Sequence, residues 1–193
     1  MARRGTGLLS AGGVGGSVAA FAGGAVVALI ASRLLPPLFA QAAGSVSGRD
    51  PFAALADDHR HIMALLTEME QTPQNATFRR AQLLLRLKRR LAAHALAEED
   101  VVYPLLHDRA HEEGDTRRLY GEHADMKMHL SALERMPKDD PDWLGRVTEL
   151  KMLIAEHIHQ EEAVDFPKLR DALGRRAIAR LSGNVRREKA LLL

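Results

Sequence analysis

The chain has 193 residues, with 27 basic and 25 acidic side chains, nine histidines and no cysteine. This length allows one domain of ordinary size plus an appendage, and the lack of thiols excludes disulfides, thiol redox chemistry, soft thiolate metal sites and iron–sulfur clusters. All 25 acidic residues fall at or after Asp50, whereas Arg3, Arg4, Arg33 and Arg49 are the only charges before it, so the net +2 comes from the leader and gives no reason to expect a nucleic-acid partner.

The first 48 residues read as that leader. No residue from Gly5 to Ser32 is charged, and Val18 to Ala31 is strongly apolar. A helix over about 14–35 is long enough to span a bilayer, and the glycine pairs Gly15-Gly16 and Gly23-Gly24 would allow close helix packing. The competing reading is a secretory signal with Arg3-Arg4 as its basic start and cleavage after Ala40-Gln41-Ala42. Arg33 and Pro36-Pro37, between the apolar run and that site, argue against cleavage. The expected localisation is therefore a membrane, single-pass, with the side of the soluble domain left open. Secretion or a periplasmic location after cleavage is the alternative. Gly44 to Gly48 reads as a short linker.

Four amphipathic helices are predicted next. The first starts at Asp50 as N-cap with Pro51 in its first turn, and its inward stripe is Leu55, His59, Ile62, Leu66 and Met69. Pro73, within 71–75, ends it. The second carries Leu84, Leu87, Leu91, His94, Glu98 and Val101. The third starts near Asp115 with the stripe Leu119, His123, Met126, Leu130 and Leu133, and the fourth follows Asp140-Pro141 with Trp143, Val147, Leu150, Ile154, His157, Glu161 and Val164. Steps of three and four make each stripe a bundle seam, and short connections suit neighbouring antiparallel helices.

The helices are two copies of one unit. His94 and Glu98 recur as His157 and Glu161 at an offset of 63 residues, and Tyr103-Pro104 recurs as Phe166-Pro167 at the same offset. Upstream, His59 precedes His94 by 35 residues and His123 precedes His157 by 34. A His and a Glu four apart share a helix face. Four imidazoles and two carboxylates in phase with the core would be costly to bury unless a cation lay among them, and facing helices of a bundle build di-metal sites in this way. The candidate metal ligands are His59, His94, Glu98, His123, His157 and Glu161. Imidazole and carboxylate together suit iron, zinc or manganese. His61, His107, His111, His129 and His159 lie off the stripes and read as surface residues, and Glu99 and Glu162 as solvated or supporting ones. Beyond Leu169 a basic segment, interrupted at Ser182-Gly183-Asn184, suggests an amphipathic helix able to cap the bundle or meet anionic lipid.

Asp58-His59, Glu122-His123 and the two HxxxEE runs ending in aromatic-Pro resemble the hemerythrin family, specifically bacterial HHE cation-binding domains, over Asp50 to Leu173. The resemblance implies a non-haem di-iron centre, with His59 and His94 on one iron, His123 and His157 on the other, and Glu98 and Glu161 bridging. It implies oxygen binding, chemistry on peroxide or nitric oxide, sensing, or iron storage. Two departures are visible. Lys127 stands where oxygen carriers of the family have a second histidine on the third helix, and the last helix has HxxxE in place of a longer spacing. Both argue for reactive chemistry or iron handling over reversible transport. Tyr120, one turn before His123, is placed to pack beside the vacated position, and Lys127 is expected to turn its amine to solvent.

The predicted fold is all-α: an antiparallel up-down four-helix bundle over 49–173, preceded by a leader (1–48) with an N-terminal hydrophobic helix and followed by a basic C-terminal helix in 174–193. The predicted function is a membrane-tethered di-iron protein that binds or reacts with oxygen, peroxide or nitric oxide, with enzymatic turnover left open. The alternatives are an iron-buffering or sensing module, or a bundle holding structural zinc or a single metal. The redox partner is not legible.

Overall fold

The computed structural model describes residues 49–192. The apolar stretch 14–35, the rest of the leader and its linker lie outside the described residues; among the described residues, no helix is long and apolar enough to cross a membrane. The described residues fold into helices joined by short turns. The elements are α1 (Pro51–Glu70), α2 (Thr77–Ala97), α3 (Tyr103–Ala110), α4 (Glu113–Arg135), α5 (Trp143–Gln160), α6 (Phe166–Ala172) and α7 (Arg175–Ala190). One wider π turn, Glu98–Val102, joins α2 to α3, and a second, Glu161–Asp165, joins α5 to α6.

Asp50 caps α1 as expected, its side chain accepting from the Phe52 backbone N–H at 3.3 Å. The start of α5 departs from expectation. Asp140 accepts from the Asp142 N–H at 2.8 Å, so the Asp140-Pro141 pair makes a turn and the helix begins at Trp143. The third bundle helix, α4, begins two residues before Asp115.

Four long helices pack around one another, with α1 beside α2 and α5, and α4 beside the same two. The predicted stripes are the buried faces, except that Leu130 and Val164 are only partly buried. In the second π turn Asp165 is buried and Val164 only partly so, whereas Val101, the repeat equivalent of Val164, is buried in the first. The repeated proline explains the π turns. Proline lacks an N–H and its ring clashes with the preceding turn of an α-helix, and widening the turn relieves the clash. In the first copy the carbonyl of Glu99, five residues before Pro104, accepts the Tyr120 hydroxyl at 2.7 Å in place of a backbone donor.

The core has two apolar parts. One holds Ile62, Leu66, Leu87, Leu91, Met126, Leu150 and Ile154, and the other Phe52, Leu55, Val102, Leu119, Phe166, Leu169, Leu181 and Val185. Each fully buried Leu or Ile contributes about 1.5–3 kcal/mol, and together they support a polar layer between the two parts. The Ser182-Gly183-Asn184 break expected in the C-terminal segment does not occur. α7 runs through it because Leu181 and Val185 are buried against the bundle and the Ser182 hydroxyl donates to the Arg49 carbonyl at 2.8 Å.

Candidate metal centre

The polar layer is where the six candidate ligands meet. α1 presents His59, α2 presents His94, α4 presents His123 and α5 presents His157, while Glu98 and Glu161 open the two π turns. All six are buried, and the two carboxyl groups are completely so. The Nε2 atoms pair across the bundle: His59 and His94 at 3.0 Å, His123 and His157 at 3.2 Å. Glu98 lies between the pairs, 3.1 Å from His94 Nε2 and 3.5 Å from His123 Nε2. Glu161 lies between them on the other side, 3.3 Å from both His59 Nε2 and His157 Nε2. Two groups of donor atoms are each compact enough to hold an ion: His59, His94, Glu98 and Glu161, and Glu98, His123 and His157.

Behind the ligands the helices support one another crosswise. His59 Nδ1 lies 2.7 Å from Glu162, His123 Nδ1 2.9 Å from Glu99, and His157 Nδ1 2.8 Å from Glu122. The acids after Glu98 and Glu161 thus each serve a histidine of another helix, and the acid before His123 serves His157. An ionised carboxylate only accepts, so these three Nδ1 atoms carry the ring proton. Their Nε2 lone pairs then point inward, at one another and at carboxylate oxygens. Among the described residues, both oxygens of Glu98 and one of Glu161 are buried without a hydrogen-bond partner. Acceptors facing acceptors in a dry layer are repulsive, so the donor set fits a cation and fits nothing neutral. Histidines whose second nitrogen is held by a carboxylate are typical of metal sites.

Without a cation, protons fill its place. His59 is raised to about 9: burial opposes this, but the carboxylates of Glu161, Glu98 and Glu162 outweigh it. Burial and the charge of Glu161 push the Glu98 carboxyl well above the ordinary range. Glu161 is lowered to about 2; burial acts against this, and His157 and His59 more than compensate. His94 is pushed down to about 4, by burial first and by the neighbouring His59 charge.

Tyr103 completes the layer. It is fully buried, its hydroxyl donates to Glu161 Oε1 at 2.9 Å, and its oxygen lies 3.0 Å from His123 Nε2. The repeat equivalent, Phe166, stacks parallel to His59 with ring centroids 6.1 Å apart, so only the His123/His157 side has a phenol. The sequence signal for this was the Tyr103/Phe166 mismatch between otherwise matching copies. Tyr120 is exposed, its ring meets Tyr103 edge-on at 5.2 Å, and its hydroxyl donates to the Glu99 carbonyl. Lys127 does not leave its amine free in solvent: Nζ donates to Glu99 Oε1 at 2.6 Å, the same oxygen that holds His123. His61, His107, His111 and His159 are exposed and His129 is half-buried, all outside the layer.

The profile of the Hemerythrin HHE cation binding domain family matches residues 38–169. A protein from Nostoc sp. described as a DNA nickase is 33% identical over 116 residues, which make up 60% of this chain and 32% of that protein. The chain thus spans about a third of that relative's length. The crystal structure of a hemerythrin HHE cation binding domain-containing protein from Mycobacterium kansasii aligns with a TM-score of 0.66 and 21% identity, over 75% of this chain and 87% of that one. At that identity the likeness supports the fold alone.

Proposed function

This chain belongs to the hemerythrin HHE cation-binding family, and on that premise we propose that it holds two iron ions, one between His59 and His94 and one between His123 and His157, with Glu98 and Glu161 bridging. The observation that carries this reading is the inward convergence of imidazole Nε2 atoms on two buried carboxylates that have too few donors. Iron held by these residues would supply redox chemistry toward oxygen, peroxide or nitric oxide.

The protein's part is to orient the ligands, exclude water and admit a small molecule. Glu99, Glu122 and Glu162 fix three imidazole rings. Tyr103 offers a hydroxyl at the His123/His157 side, where Glu161 already accepts from it. A cavity of about 240 Å³ between α2 and α4 runs from the surface to His123. Its walls are mainly Leu91, Ala92, Ala95, Met126 and Leu130, with Lys127 and Glu134 among its polar side chains. Apolar walls favour small uncharged ligands. The reading includes a membrane tether at 14–35, which predicts that the full chain resists carbonate extraction from membranes.

The deciding experiment is metal analysis of full-length protein purified without added metal, together with its near-UV and visible spectrum. Two irons per chain and oxo-bridged ferric absorption are expected. His94→Ala and His157→Ala should each lower the iron content sharply, and the double variant should hold almost none. A full iron complement in the double variant, or zinc with a silent spectrum, would overturn the assignment.

A further inference from the structure

The family profile ends at residue 169, yet the helix beyond it reaches the ligand layer. α7 docks through Leu181, Ser182 and Val185, all buried. Its last turn carries Lys189, whose ammonium donates to Asp58 Oδ2. Asp58 is itself buried, precedes His59, and stands behind His94.

His94 is the exception among the four histidines. The Nδ1 atoms of His59, His123 and His157 lie 2.7, 2.9 and 2.8 Å from a carboxylate oxygen. His94 Nδ1 is 3.6 Å from Asp58 Oδ2, beyond hydrogen-bond reach, and has no hydrogen-bond partner among the described residues. Asp58 is committed elsewhere. Arg90 takes its Oδ1 at 3.2 Å, and Lys189 takes Oδ2, the oxygen that faces His94. In the repeat, Glu122 holds the equivalent position behind His157 and does reach it. Its other oxygen is bound by Arg118 at 2.6 Å. One lysine alone does not displace a histidine, since Lys127 shares Glu99 Oε1 with His123; Asp58 differs in carrying a cation on each oxygen, Arg90 on Oδ1 and Lys189 on Oδ2.

We propose that Lys189 is a positioning residue for the metal centre: by drawing Asp58 away from His94, the docked C-terminal helix keeps one of the four imidazoles loosely held. This rests on His94 being a ligand, as proposed above. A ring whose distal N–H is held by a carboxylate is better oriented and more basic toward a metal, and losing such support typically lowers metal affinity 10–100-fold. The His59/His94 position is therefore the weaker of the two. Removing the Lys189 charge leaves Asp58 its Arg90 partner and frees Oδ2 to close on His94.

The test compares wild type with Lys189→Met and Lys189→Arg in the full chain. After loading with iron(II), chelator competition should remove metal from wild type in two phases. Lys189→Met should slow the faster phase about tenfold, while Lys189→Arg should behave as wild type. Nitrogen NMR of the histidine rings in the metal-free proteins supplies an independent readout. Lys189→Met should shift His94 Nδ1 toward a hydrogen-bonded value and leave His59, His123 and His157 in place. A merely structural Lys189 would speed metal loss from both positions and leave no selective His94 signal, which would overturn the proposal. A His94 response in a protein that binds no metal would uphold the Lys189–Asp58–His94 coupling and overturn the metal reading instead; metal retention with an unresponsive His94 would do the reverse.

Discussion

Glu98 and Glu161 are repeat equivalents at the same depth, yet replacing each by glutamine should move the stability of the metal-free chain in opposite directions. Glu161 accepts from Tyr103 and lies against His59 and His157, which hold its carboxyl at about 2 against an ordinary 4.5. A depressed folded value adds stability that is fully present above about 4.5 and is lost as pH falls toward 2. At ~1.4 kcal/mol per pH unit the gain is about 3 kcal/mol. Burial first, and then the facing Glu161 charge, raise the folded value of Glu98, which has no hydrogen-bond donor among the described residues. A raised folded value costs stability once pH exceeds the unfolded value of ~4.5, and the cost grows as pH rises toward the folded value. Glu98→Gln copies the protonated form and removes the penalty, so metal-free Glu98→Gln should be more stable than wild type at pH 7, with the gain fading by pH 5. Glu161→Gln should be less stable by up to about 3 kcal/mol. In a domain of this size each kcal/mol corresponds to about 2–4 °C in Tm. Urea unfolding of chelator-treated protein at pH 7 and pH 5 measures both effects, and both variants should lose the stabilisation that added metal confers on wild type. If the two substitutions shift the midpoint in the same direction, the unequal division of charge between these carboxyls is refuted.

Because His59 is held at about 9, metal loading near neutral pH should release about one proton per chain from that ring, measurable with an indicator in weak buffer; loading without release would show that the ring holds no such proton. Tyr103→Phe removes the donor to Glu161 at a position whose repeat equivalent is already phenylalanine, so the fold should persist with a loss of about 1–3 kcal/mol in the metal-free chain; an unchanged urea midpoint would mean that the hydroxyl does not hold Glu161. His107→Ala and His159→Ala alter exposed rings outside the layer and should leave metal content unchanged in the same analysis that tests His94 and His157.

The helices and the six inward-facing histidine and glutamate side chains were legible in the sequence because helical spacing is local. Residues three and four apart share a face whatever the rest of the chain does, and the repeat placed His94 and Glu98 in the phase of Leu91 just as it placed His157 and Glu161 in the phase of Ile154. The aromatic-Pro pair after each HxxxEE was visible as part of the repeat, but not that a π turn precedes it or that Asp165 is buried where Val164 was expected. That depends on what the widened turn packs against. The supporting carboxylates were visible as residues and not as partners: Glu162 serves His59 across 103 positions and Glu122 serves His157 across 35, and no spacing rule links residues on different helices. Tyr103 looked like the match of Phe166 until burial put its hydroxyl on Glu161, and Lys189 looked like one charge in a basic tail until α7 docked. Sequence periodicity determines which face of each helix turns inward. Which side chains meet there, and which carboxylates also meet a lysine, is decided only when the faces pack and water is excluded between them.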